Sequence, residues 1–551
     1  MALSKAAVLF DALPDQVAPK YAGSGAPRLR CAERGQIEWR PFSLDQLVPD
    51  DHRVRLVWRF VEGLDLAPLL VGIKAVEGHA GHAATDPRIL LALWLYATVK
   101  GIGSARELAR LCEEHVAFRW LCGGISMNAK TLADVRIGHG AVLEQLLADS
   151  FTALVRAGVA NLDRVAQDGV RVRAAAGAAS FRRHSTLEEC RRAAEQAIAD
   201  LRTRLEADPG SASRQQAAAR RRAAEERERR VRAALAVTAE LQTQQREKAR
   251  LDAGLAARAA ERATQQTSQD AARGETKTPD AAKQPAEPRA STTDAEARTM
   301  KMADGGFRPA YNVQFAADTR SGAIAGVAVD NLGSDMGKLV PMSDALAEQY
   351  GERPGQHLAD GGFAKLDDID ALACNGVAVF VPVPKPRDAS RDRHVALRGD
   401  TPAVAAWRER MGGDAAKDIY KQRAATVELA NAQVRNHGFR QFVVRGLEKA
   451  KVVALWFALT HNMMCGWRLL NAGDGQPRRT DATAAANRRG GDTRMHAGAT
   501  GHTASATKPR QLDICVSLDR TPTVIQPLAK WRFFFNLSAK AAGARDFSSA
   551  M

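Results

Sequence analysis

The chain has 551 residues, too many for one ordinary domain; 45% are hydrophobic, enough for a sizeable core, but only 5% are aromatic, so much of the length lies outside a core. Lys and Arg number 79 against 63 Asp and Glu, a formal charge of +16, which suits a polyanion because each neutralised phosphate releases condensed counterions. The longest apolar run falls short of the roughly 20 residues that cross a bilayer, the opening lacks a signal-peptide pattern, and seven scattered cysteines hold no Cys-x-x-Cys pair, so a protein of a reducing cytoplasm with no membrane partner, disulfide framework or structural zinc is expected.

Residues 1–80 read as an N-terminal arm, with Glu38, Trp39, Arg40 and Pro41 ahead of a short helix at 52–60. Residues 81–160 read as a helical DNA-binding domain. Thr85-Asp86-Pro87 starts a helix with a cap and a first-turn proline, Ser104 caps the next, and Gly123-Gly124 breaks the chain before another opens near Thr131. Arg106, Arg110, Arg119, Lys130 and Arg136 are candidate phosphate contacts there.

Residues 161–185 and 301–470 carry an α/β pattern with five short strands: 164–167 with 170–172, then 311–316, 323–329, 356–359 and 377–383. Helical periodicity fills 336–350, 415–435 and 447–470. Between the halves, 186–300 is an insertion, since 182–306 contains no Phe, Trp or Tyr. It opens on a heptad-like stripe of Leu187, Ala194 and Leu201 that hints at dimerisation, and 265–300 has a disordered composition. Residues 471–551 read as a low-complexity tail with one apolar stretch at 531–537.

Three acids fall at element ends: Asp168 after the first strand, Asp360 after the fourth, and Glu428 in the helix beyond the fifth. Three carboxylates suit a pair of Mg2+ or Mn2+ ions, hard cations that assist in-line displacement at phosphorus. A lone Asp-Gly is usually a turn, and Ala-Asp-Gly-Gly-Phe occurs twice, at 303–307 and 359–363. Asp360 ends a strand, whereas Asp304 follows a polar run, so Asp360 is taken as the ligand and Asp304 as a turn. His461 and Cys465, four apart without further ligands, are taken as helix interior.

Asp168-Gly169-Val170-Arg171, Tyr311-Asn312-Val313-Gln314, Leu358-Ala359-Asp360-Gly361-Gly362-Phe363 and Tyr420-Lys421-Gln422-Arg423 with Val427-Glu428 together resemble the DDE transposases of bacterial insertion sequences, in the branch with a helical N-terminal domain. The resemblance covers most of 36–470. It implies a ribonuclease H-like catalytic domain, a mixed five-stranded sheet with flanking helices, whose acids Asp168, Asp360 and Glu428 bind two Mg2+ or Mn2+. It also implies cleavage and strand transfer at terminal inverted repeats, with double-stranded DNA (element ends and target) as partner and a homodimer in the DNA complex. Tyr420, Arg423 and Arg435, with Asn312 and Gln314, become candidate phosphate or DNA contacts. The family's Tyr, Arg, Glu, Lys signature departs here twice: one extra residue separates Arg423 from Glu428, and Arg435 stands at the lysine position. An inert DNA-binding derivative, or a nuclease of the same fold, is the competing expectation.

Overall fold

The computed structural model describes residues 43–80, 82–207, 214–270, 287–386 and 390–471. The expectations for Glu38 to Pro41, for 271–286 and for the tail beyond 471 lie outside them.

The N-terminal part is helical: α1 (Arg53–Glu62), α2 (Ala67–Leu70), α3 (Pro87–Val99), α4 (Ala105–Glu114), α5 (Val116–Cys122), α6 (Ala129–Gly138) and α7 (Gly140–Arg156). The caps are those the residue types demand. Asp86 accepts from the Arg88 amide at 2.8 Å and Ser104 from the Glu107 amide at 3.3 Å, each satisfying an amide that a first helical turn leaves open. Twelve of the thirteen α3 residues are buried, so it is a central helix rather than an amphipathic one. Arg136 is not free for DNA. It is buried, donates to the Gly103 carbonyl and stacks over the Trp94 ring at 4.9 Å.

A mixed sheet follows, from β1 (Arg164–Arg173), β4 (Arg298–Lys301), β5 (Phe307–Asp318), β6 (Ile324–Asp330), β7 (Gln356–Leu358) and β8 (Ala378–Phe380), while β2 (Phe181–Arg182) pairs with β3 (Ala290–Ser291) in a separate ribbon. In the sheet, β5 pairs antiparallel with β1, with β6 and, at its start, with β4; β1–β7 and β7–β8 are parallel. The sheet thus has six strands rather than five. The extra one, β4, comes from the stretch read as disordered, where burial of Met300 and Ala297 orders a polar sequence. Asp304 lies in the β4–β5 turn, paired with Arg308, where Gly305 adopts φ +82°.

Within the insertion, α8 (His184–Ala207) and α9 (Arg214–Asp270) form an antiparallel hairpin. The stripe on α8 is covered from within the chain: Leu187 packs with Val231 and Ala234 of α9 and with Ala290, which corrects its reading as a dimer seam. The hairpin's foot is tied to the sheet through Asp294, which accepts from the Tyr311 hydroxyl at 2.8 Å.

The remaining helices are α10 (Leu339–Tyr350), α11 (Leu366–Cys374), α12 (Pro402–Gly412), α13 (Asp414–Arg423), α14 (Leu429–Asn436) and α15 (Leu447–Asn471). Helix α15 packs against α3, α6 and α7 on one side and β5 and β6 on the other, so one continuous core runs from Val48 to Met463. Each large apolar side chain so buried contributes on the order of 1.5–3 kcal/mol. Trp456 donates to the Arg136 carbonyl at 3.0 Å, and Asn462 takes both the amide and the carbonyl of Ile324, at 2.7 and 2.8 Å. His461 bonds the Gly322 carbonyl and Cys465 the Ser321 carbonyl, as expected of helix interior. Among the described residues no helix is long and apolar enough to cross a membrane.

Burial pushes both His357 and His461 down to about 4. Between that value and the unfolded value near 6.5 the unfolded chain binds more protons, so stability is fully present above pH 6.5 and is lost as pH falls towards 4. The thermal midpoint should therefore drop across this window. His461→Gln should flatten the dependence by roughly 3 kcal/mol; a slope identical to the parent's would refute this account.

Candidate active site

Strand β1 alternates, and its register with β5 pairs Asp168 with Phe315 and Gly169 with Gln314. Paired residues share a face, so Asp168 faces α13 and α14 while Gly169 faces the other side. The parallel register of β1 with β7 aligns Ala166 with Leu358; two residues further along each strand stand Asp168 and Asp360. Asp360 ends its strand by capping the short turn at 361–363, its Oδ1 accepting from the Gly362 amide at 2.8 Å. Asp168 thus projects from the middle of the continuous strand β1, rather than following a strand as expected, at the level where Asp360 follows the end of β7.

Helices supply the rest. Asn431 of α14 donates to Asp168 Oδ2 at 2.9 Å, and Arg423 Nη1 lies 3.7 Å from Asp168 Oδ1. The same guanidinium reaches Glu428 through Nη2 at 2.6 Å and stands 5.8 Å from the Tyr420 ring. Arg435 is exposed in the last turn of α14, seven residues beyond Glu428 and so on a similar face. The far end of β1 is joined to the chain after α14 by Phe442 N to Arg173 O at 2.8 Å. Gly438, with φ +89°, makes the turn, and a Cβ there would stand 3.3 Å from the Gly101 backbone.

The extra residue between Arg423 and Glu428 has a local consequence. In an α-helix residues five apart point about 140° away from each other, yet these two pair. Residues Ala424–Glu428 form a π-helical turn, whose wider winding takes in one residue and leaves the flanking faces aligned.

Burial pushes Asp168 up to about 6; the Arg423 charge opposes this and the Asp360 charge adds to it. Tyr420 is raised mainly by burial, with Arg423 opposing and the charges of Asp360 and Glu428 contributing. The structure therefore gathers Asp168, Asp360, Glu428, Tyr420 and Arg423. Among the described residues no three acid, His or Cys side chains close around a single metal position; a guanidinium stands between Asp168 and Glu428 instead.

Asn312 and Gln314 do not join this group. They are buried on the opposite face of the sheet, where both donate to Asp335 at 2.7 Å, which corrects their reading as DNA contacts. Asn431 and Asp335 were missed. Asn431 lies three residues after Glu428, one helical turn on, and that spacing could have found it.

Residues 42–137 match the family model described as "Transposase domain (DUF772)", and residues 385–465 match the "Transposase DDE domain". The second match contains Tyr420, Arg423, Glu428 and Arg435 but neither Asp168 nor Asp360. No curated protein and no solved structure matches the chain.

Deleting Ala425 should convert 423–428 to uninterrupted α-helix with Arg423 and Glu428 four apart, holding the thermal midpoint within about 3 °C of the parent. Deleting Gln433, which turns Val434 off the core, should lower it by more than about 6 °C. Equal losses would contradict the π-turn account.

Proposed function

From the premise that this chain is a DDE transposase of an insertion sequence, a DNA-binding and phosphodiester-cleaving enzyme that uses divalent metal, we propose that its reaction is carried by Asp168, Asp360 and Glu428. In this reading water cuts a phosphodiester at each terminal inverted repeat. The freed 3′ hydroxyl then attacks a target-DNA phosphodiester, the new P–O bond forming as the target's own P–O bond breaks. Two copies of the chain hold the two element ends, on DNA in the bacterial cytoplasm.

The observation that carries the reading is the convergence of two register-matched carboxylates with Arg423, Glu428 and Tyr420 on one face of the sheet. The strand pattern β6–β5–β1–β7–β8, antiparallel and then parallel, supports the ribonuclease H-like assignment.

The donor set fits a hard cation. Asp168 and Asp360 offer carboxylate oxygens side by side, and a cationic group already lies between Asp168 and Glu428. Two bound Mg2+ or Mn2+ ions would polarise the phosphodiester and lower the pKa of the attacking water. Asp168 and Asp360 would hold them, and Glu428 would complete the set once Arg423 exchanged its carboxylate partners for a phosphate. Arg423 suits that exchange because its planar fork matches carboxylate and phosphate oxygens alike. Arg435 takes a neighbouring phosphate from its exposed turn, and Tyr420 orients Arg423 from beneath.

Asp168→Asn, Asp360→Asn and Glu428→Gln should each slow Mg2+-dependent nicking of end-labelled terminal DNA by at least about 100-fold while leaving duplex binding within a few-fold. Nicking at the parental rate in any of them would remove that residue from the site. Nicking without joining by the parent would favour a nuclease, and binding without nicking an inert derivative.

A further inference from the structure

Behind the two acids, on the other face of the sheet, lies a buried polar chain that the proposed reaction does not use. His357 of β7 donates from Nε2 to Gln167 Oε1 at 2.9 Å, and Gln167 of β1 donates to Gln314 Oε1 at 3.0 Å and to the Lys338 carbonyl at 3.2 Å. Gln314 of β5 donates to Asp335 Oδ1 at 2.7 Å, and Asn312 adds a second donor to the same oxygen at 2.7 Å. His357, Gln167, Gln314 and Asn312 are each at most 1% exposed. Apart from the branch to the Lys338 carbonyl, the links point the same way and end on the Asp335 carboxylate, so the bonds polarise one another.

This chain crosses the strands that carry the acids. Gln167 directly precedes Asp168, His357 is three residues before Asp360, and Asp335 reaches in from the loop before α10. The fit is close at Gly169, where a Cβ would run into Asp335 Oδ1 and stand 2.6 Å from Gln314 Nε2. It is also kept at a cost, since His357 Nδ1 and Asn312 Oδ1 are buried without a partner.

We propose that Asp335, acting through Gln314, Gln167 and His357, is a positioning residue that fixes β1 against β7 from behind and thereby the spacing of Asp168 and Asp360. The inference rests on the reading of those two acids as the catalytic pair. Asp335 touches neither DNA nor metal in this scheme. Asp335→Ala leaves two amide donors unsatisfied and frees β1, whereas Asp335→Asn keeps an oxygen for both. Gly169→Ala wedges the same contact apart from the strand side.

The test uses the full chain with end-labelled terminal DNA. It compares single-turnover nicking at saturating DNA, the DNA dissociation constant, the thermal midpoint, and Mn2+ affinity of the DNA-free protein by paramagnetic resonance. D335A and G169A should lose about 10- to 100-fold in nicking rate and weaken Mn2+ binding by about tenfold, with DNA affinity within about threefold, and D335N should recover most of both. If D335A does not fold, G169A and D335N carry the same comparison. Parental nicking and Mn2+ affinity in D335A or G169A, a loss that only tracks DNA affinity, or D335N as impaired as D335A would overturn the proposal. Asp168→Asn separates the layers: if it abolishes nicking while D335A does not, only the positioning role fails; if it nicks normally, the reading beneath fails.

Discussion

Two carboxylates at one level on adjacent parallel strands repel each other across the strand spacing of about 4.8 Å. Burial makes this worse for Asp168, whose carboxyl is pushed up to about 6. The surrounding structure answers with opposite charge and donors: the Arg423 guanidinium, the Asn431 amide and backbone N–H groups. A folded state that concentrates negative charge and balances it with a guanidinium suits, on the proposed reading, a cation and a phosphate, the two things that a phosphodiester-cleaving enzyme must bring together.

The scaffold around that charge is built to be stiff. Helix α15 buries faces against both the N-terminal helices and the sheet, so the two segments that match transposase families share a core. Helix α14 is anchored at both ends. Its entry is the π-helical turn carrying Glu428, and its exit bends at Gly438 and rejoins β1 at Arg173. Since β1 also holds Asp168, a shift of the glutamate helix is resisted by the strand that bears its partner acid. The helical hairpin stands apart from this frame, with its own small apolar seam.

Most elements were legible in the residues because their signals are local. Asp86 with Pro87 and Ser104 mark helix starts by chemistry that acts within one turn, and the strands at 311–316 and 323–329 announce themselves by apolar runs. Strand β4 was not legible: Arg298-Thr299-Met300-Lys301 is polar, and only pairing with β5 makes it a strand. Helices α11 and α12 were also missed. Arg136, a basic residue on an apparently amphipathic helix, turned out to be a buried donor stacked on Trp94, a fact that depends on a helix forty residues earlier in the chain.

Sequence alone determined which residue types could do the chemistry: three acids within the strand and helix pattern, a Tyr and Arg ahead of a glutamate, and an excess of positive charge for a polyanion. It also exposed the extra residue between Arg423 and Glu428. Tertiary structure alone decided that the extra residue is wound into a π turn and that Asn312 and Gln314 face Asp335. The reason is physical. Residue chemistry is carried by each side chain, whereas the face it points to and the neighbour it meets are set by strand register and helix phase, which only long-range packing selects.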